Sequence, residues 1–114
     1  MSDGFGQIVY PVKDIAQAKT LFSTLLGVEP YMDSPYYVGF RIGGQEIGLD
    51  PNGERKGMTG PVAYTKVDDL EAGLKALIDA GAVPHGDPQE VGGGRRIATV
   101  KDPSGNILGL LHDA

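Results

Sequence analysis

Two stretches of this chain repeat one pattern, and that repeat limits the folds available more than any single residue does. The segment "IVYPVKDIAQAKTLFSTLLGVEP" begins at Ile8, and "VAYTKVDDLEAGLKALIDAGAVP" begins at Val62. Each passes from alternating apolar residues to an aspartate, then to about three turns of helix-spaced apolar residues, and closes on a glycine followed by a proline. In the first copy, Ile8, Tyr10 and Val12 alternate with Val9, Pro11 and Lys13, the period of a half-buried strand. Asp14 then offers an N-cap oxygen to a helix whose apolar stripe is Ile15, Ala18, Leu21, Phe22 and Leu25, stopped by Gly27 with Pro30 beyond. In the second copy Ala63, Thr65 and Val67 form the inward row, Asp69 caps, Leu70, Leu74, Leu77 and Ile78 make the stripe, and Gly81 and Pro84 end it.

Three further strands are expected after each helix. They lie near residues 29–32, 36–42 and 45–49 in the first half, and near 82–85, 95–100 and 107–111 in the second. Asp102-Pro103-Ser104-Gly105-Asn106 reads as a tight turn: Pro103 fixes φ, Gly105 and Asn106 tolerate positive φ, and Asp102 can hold the backbone ahead of it. Each half is then strand, helix, three strands. One helix on four short strands leaves a sheet face uncovered, so a half could hardly be stable alone and the two must pair. The expected fold class is α+β: two paired βαβββ modules, about 5–52 and 60–112 within a single domain 1–114, forming a curved mixed sheet with helices outside and a concave ligand cup inside.

The chain has 114 residues, enough for one modest core, and 10 basic against 15 acidic residues leave a formal net charge of −5. Without a basic stripe, nucleic acid is not an expected partner. The chain has no cysteine, which excludes disulfides, thiolate catalysis and thiolate-bound zinc. No basic segment precedes a long apolar run near the start and no stretch is long enough to span a bilayer, so no membrane association is expected and a cytoplasmic location is the default.

The pattern resembles the vicinal oxygen chelate superfamily, which includes glyoxalase I, fosfomycin-modifying enzymes, extradiol dioxygenases and bleomycin-binding resistance proteins. The resemblance covers nearly the whole chain through "VKDIAQAKTLFSTLLGV", "VDDLEAGLKALIDAGA" and "DPSGNILGLL". It implies one metal ligand from the first strand and one from the last strand of each half, usually histidine or glutamine and then glutamate. Counted back from the helix-start aspartates, the first-strand positions are Gln7 and Val62; matching Ile47-Gly48-Leu49 to Leu108-Gly109-Leu110 makes the last-strand positions Gly48 and Gly109. A divalent first-row metal needs several converging oxygen or nitrogen donors, and Gln7 alone cannot hold one. A register shifted by two brings Asp50, Tyr64 and Leu111 to the same faces, still too few strong donors, and Glu46 with Asp50 is the only carboxylate pair nearby. No metal and no other cofactor is therefore expected.

Replacing a glutamate by glycine removes charge and volume, and two consequences stay open. Either Gly48 and Gly109 open space for a ligand, or they mark close packing or a bulge. Tyr37 and Tyr64 are the candidate aromatic walls, with Tyr36 and Phe40 nearby, since flat faces and phenol hydroxyls suit an apolar or conjugated ligand. The "GGGRR" run at 92–96 leads into a strand rather than a helix, so it reads as a lid or hairpin and not a phosphate loop. Strand parity groups Arg95 with Ile97 and Thr99 toward the cup. His85 and His112 fall outside the expected cup face, with no nucleophile beside them.

The resulting expectation is a homodimer that binds a small organic ligand without metal, sequestering an antibiotic or another natural product as the resemblance implies. Its lining would be Gln7, Val9, Gly48, Asp50, Val62, Tyr64, Gly109 and Leu111, with Tyr37 and Arg95 at the rim. Burial of apolar ligand surface, worth about 25 cal/mol per Å², would supply most of the affinity. Two alternatives stand beside it: a metal-dependent lyase, isomerase or dioxygenase of the same superfamily, and a metal-free enzyme with Asp50 or a histidine as base.

Overall fold

The computed structural model describes residues 4–114. The chain is α+β and divides into two compact units, Gly6–Val62 and one made chiefly of Ala63–Ala114. The first is built from β1 (Phe5–Pro11), α1 (Ile15–Leu26), β2 (Met32–Asp33), β3 (Val38–Ile42) and β4 (Gln45–Asp50), followed by a 3₁₀ turn at Glu54–Lys56. Its strands run in the order β2-β3-β4-β1, with β1 parallel to β4 and the other neighbours antiparallel. The second has β5 (Val62–Lys66), α2 (Leu70–Asp79), β6 (Val83–Pro84), β7 (Gln89–Glu90), β8 (Arg95–Lys101) and β9 (Ile107–Asp113). Here the order is β5-β9-β8-β6, with β5 parallel to β9 and β7 paired to β8.

Local chemistry sets the element ends. Asp14 accepts from the Gln17 backbone N–H at 3.1 Å, and Asp69 does the same for Ala72 at 3.0 Å, which satisfies donors that a helix start leaves without partners. Gly27 takes φ 71° and turns its N–H back to the Ser23 carbonyl, a left-handed stop that a Cβ would strain. In the turn at 102–106 the Asp102 carboxylate accepts from the N–H groups of Ser104 and Asn106, and Gly105 has φ 86°. Asn106 keeps a negative φ, and its side-chain amide donates to Asp102 Oδ2 at 2.9 Å.

Each helix covers one face of its own unit's sheet. Ala18 of α1 packs with Val38, Phe40, Ile47 and Leu49, joined by Ile8, Tyr10 and Phe22. Leu70 of α2 packs with Ala98 and Leu110, joined by Val67, Leu74 and Leu77. Alternation along the strands then sends the intervening residues to the opposite, helix-free face. One difference from the sequence reading follows from turn chemistry. The third strand begins at Val38 rather than Tyr36, because Ser34 Oγ accepts from the N–H groups of both Tyr36 and Tyr37 and holds them in a turn. The run at 92–94 closes a hairpin whose first arm is β7; all three glycines take positive φ, which side chains other than glycine adopt only with strain.

Candidate functional site

On the helix-free face of the first unit, pairing across β1, β4 and β3 sets two rows. Gln7, Glu46 and Arg41 form one, and Val9, Gly48 and Gly39 the next. Beyond them lies Asp50, opposite Pro11. Gly39 and Gly48 face each other directly, leaving a strip of bare backbone, and two tyrosines lie over it. A Cβ built on Gly48 would meet the Tyr37 hydroxyl and approach Tyr37 Cζ to 2.6 Å; one on Gly39 would stand 3.0 to 3.2 Å from three atoms of Tyr31. Both phenols end on the polar row: Gln7 Nε2 donates to the Tyr37 hydroxyl at 2.9 Å, and the Tyr31 hydroxyl donates to Glu46 Oε1 at 2.8 Å.

The second unit repeats the device with different geometry. Tyr64 of β5 sits directly across from Gly109 of β9, and a Cβ on Gly109 would be 2.7 Å from Tyr64 Cε2, 2.8 Å from Cγ and closer still to Cδ2. Along the same face, Thr99 pairs with Gly109, Ile97 with Leu111 and Arg95 with Asp113. The expected grouping of Arg95 with Ile97 and Thr99 is therefore the one found, on the side opposite Ala98 and Leu110.

Glycine at 48 and 109 thus marks close packing: the volume a glutamate would occupy holds a tyrosine. Of the residues singled out from sequence, Gln7, Val9, Tyr37, Gly48 and Asp50 share the helix-free face of the first unit. Tyr64, Arg95, Gly109 and Leu111 share that of the second, and Val62 is a buried residue at the start of β5. Two of them carry bonds that sequence did not show. Arg95 is in a two-pronged ion pair with Asp113, 2.7 Å from Nε to Oδ1 and 3.0 Å from Nη2 to Oδ2, and Lys66 Nζ adds a contact at 3.3 Å. The Arg95 hydrogen bond dominates in pulling the Asp113 carboxyl down to about 2, against a smaller opposing effect of burial. Asp50 is buried, yet both its oxygens are engaged: Oδ1 accepts from the Asn52 N–H at 2.8 Å and Oδ2 from Lys56 Nζ at 2.7 Å. That places Asp50 as the clasp of the turn after β4, the role its contacts show for the residue that sequence raised as a base. His112 Nδ1 lies 2.9 Å from the Val67 carbonyl oxygen. Tyr31, Arg41 and Asp113 escaped the sequence reading, and Glu46 entered it only as half of a carboxylate pair with Asp50; register across β3 and β4, once known, sets Arg41 beside Glu46.

A scan of family models matches residues 4–110 to the Glyoxalase/Bleomycin resistance protein/Dioxygenase superfamily. The chain belongs to that superfamily. Among solved structures, methylmalonyl-CoA epimerase from Mycobacterium tuberculosis is 17% identical with TM-score 0.72, the match covering 99% of this chain and 89% of that one. A superfamily member from Vibrio splendidus 12B01 is 16% identical with TM-score 0.71, covering 99% and 100%. The Mn(II)-bound glyoxalase from Novosphingobium aromaticivorans is 16% identical with TM-score 0.73, covering 99% of this chain and 40% of that one. Likeness at these identities establishes a shared fold. No curated protein sequence matches the chain significantly.

The superfamily's metal can be tested against this member's donors. Gln7 holds the hydroxyl of Tyr37, Val62 has no donor atom, and at Gly48 and Gly109 tyrosines stand where a Cβ would begin the ligand side chain. Among the described residues no three of His, Asp and Glu come together as a metal-binding group. The residues at the superfamily's metal positions do not fit a divalent cation.

Proposed function

We propose that this superfamily member is a metal-independent binding protein for a small organic molecule, taken up on the helix-free sheet faces. The observation that carries the reading is the tyrosine laid over glycine at both last-strand positions. It replaces carboxylate donors, useful for holding a cation, with aromatic surface and phenol oxygens, useful for holding an organic ligand. Apolar contact would supply affinity, and Gln7 with Tyr37 would fix orientation. The same reading makes the chain a cytoplasmic homodimer that sequesters its ligand, an antibiotic or related natural product being the version the superfamily suggests.

The test is native mass spectrometry of protein purified from its own host, coupled to elemental analysis and repeated after dialysis against chelator. The expected result is a species carrying an organic mass, without stoichiometric metal, that survives chelation. One equivalent of manganese, nickel, zinc or iron per chain, lost with chelator together with the organic mass, would overturn it and favour a metal-dependent lyase, isomerase or dioxygenase.

A further inference from the structure

We propose that Arg41, its guanidinium carbon set over the ring of Tyr31 on the helix-free face of the first unit, is an anion anchor that takes the carboxylate of a small planar organic acid. This rests on the binding reading above and names the class of ligand within it. The anomaly behind it is a missing ion pair. Arg41 and Glu46 are direct partners across β3 and β4, where opposite charges ordinarily meet. Instead Glu46 accepts from the Tyr31 hydroxyl at 2.8 Å, and the Arg41 guanidinium carbon lies 4.0 Å from the centroid of the same ring. Tyr31 thereby takes Glu46 with its edge and Arg41 with its face, and keeps the two apart. Tyr31 is itself seated against Gly39, whose missing side chain lets the ring approach within 3.0 to 3.2 Å of the Cβ position.

The consequence is a guanidinium resting over an aromatic ring, with no hydrogen-bond or ion-pair partner among the described residues. A cation–π contact consumes none of the guanidinium's N–H donors, and these form the fork that matches a carboxylate with two parallel hydrogen bonds. The two strand-borne arginines of the second unit, by contrast, are committed: Arg95 to Asp113 and Arg96 to Glu71. In a chain of formal net charge −5, an uncommitted cation is what sets an organic acid apart from a neutral ligand of the same shape. The row that continues from Arg41 through Glu46 to Gln7 runs across the sheet beside the two tyrosine rings, so a planar body attached to the acid would lie over aromatic surface.

The experiment is a titration of the isotope-labelled full chain with benzoate and, separately, with its neutral isostere benzamide, followed by amide and arginine side-chain NMR shifts. Arg41→Gln and Arg41→Lys serve as variants. Benzoate is expected to shift the Arg41 guanidinium and the amides of Arg41, Glu46 and Gly48, to bind at least tenfold more tightly than benzamide, and to lose that preference in Arg41→Gln. Arg41→Lys retains charge but not the fork, and should recover only part of it. Equal response to both probes, unchanged in Arg41→Gln, would overturn the anchor while leaving metal-free binding intact. Benzoate shifts located away from β3 and β4, or no response to benzoate, would overturn it as well. Stoichiometric metal in the native protein would instead remove the binding reading and leave the measured Arg41 preference standing.

Discussion

Gly109→Ala is the sharpest test of the packing that defines this site, because the added methyl has nowhere to go. The built Cβ lies 2.8 Å from Tyr64 Cγ and nearer to two further ring atoms. Cγ is the root of the ring, so rotating the outer ring cannot relieve the contact; Tyr64 must leave its rotamer or β5 must shift from β9. Tyr64 is only 7% exposed, which restricts the first escape, and its direct pairing with Gly109 restricts the second. Overpacking of this kind costs about 1–3 kcal/mol. Gly109 has no positive φ, so alanine's lower unfolded-state entropy returns about 0.4–1 kcal/mol. The expected net loss is about 1–2 kcal/mol, a fall in Tm of roughly 4–8 °C for a chain of this size. Urea unfolding at fixed protein concentration would measure it. Gly6→Ala in β1, where the built Cβ meets nothing within 4 Å, is the control and should be neutral or slightly stabilising. A double-mutant cycle with Tyr64→Leu should show a coupling of about 1–2 kcal/mol, since removing the ring removes the clash. If Gly109→Ala is as stable as the parent, or if the coupling is near zero, the ring does not occupy the carboxylate position and the case against the metal site loses its main support.

Three further outcomes follow. Gly48→Ala should cost less stability than Gly109→Ala, because it displaces the tip of Tyr37 rather than a ring root; its signature should be a shift of the Gln7 side-chain amide signal in NMR. Tyr37→Phe should cost about 1 kcal/mol in the same urea assay by taking the acceptor from the buried Gln7 amide. Because the folded-state carboxyl of Asp113 sits near 2, below its ordinary 3.8, the stability it contributes is fully present above about pH 4 and lost as pH falls toward 2. Asp113→Asn should flatten that part of the stability curve by about 1 kcal/mol, a figure reduced for the carboxylate's partial exposure, while leaving the slope above pH 5 unchanged.

Helix caps, the 102–106 turn and the order of elements were legible because each depends on neighbours in sequence: Asp14 and Asp69 precede apolar-periodic runs, and Asp102 closes on its own turn. Strand parity was equally local, and it placed Arg95 with Ile97 and Thr99. What sequence hid were contacts set by register between strands. Asp113 lies two residues past the expected end of the last strand, yet β9 extends to it and pairs it with Arg95. Tyr31 and Tyr37 precede β2 and β3, where alternation says nothing about direction; their placement over Gly39 and Gly48 depends on the turn held by Ser34. Asp50 was raised from sequence as a lining residue or a base, and its role as a turn clasp shows only once the positions of Asn52 and Lys56 are known.

The two glycines also show that the absence of a carboxylate is built into the packing and is not a simple deletion. Within the repeat, Val9 of β1 corresponds to Tyr64 of β5, so one half holds a tyrosine where the other holds valine. The first unit nevertheless covers Gly48 with a tyrosine, brought from the turn before β3 on the opposite side of β4. One vacated position is thus filled from the parallel neighbour and the other from the antiparallel neighbour's approach. A side chain inherited from duplication would have come from the same strand in both halves. Filling the same place by two routes is what close packing demands, since a bare glycine pair on a sheet face would otherwise lose its dispersion contacts and leave backbone uncovered. Placing carboxylates there would therefore take more than Gly48→Glu and Gly109→Glu: Tyr37 and Tyr64 must shrink as well. Each glutamate substitution alone should destabilise the chain in the urea assay by at least the ~1–3 kcal/mol of overpacking, and pairing it with Tyr37→Ala or Tyr64→Ala respectively should leave less additional loss than the two single losses summed. Native-like stability of Gly48→Glu or Gly109→Glu alone would refute the argument that tyrosines hold these positions closed.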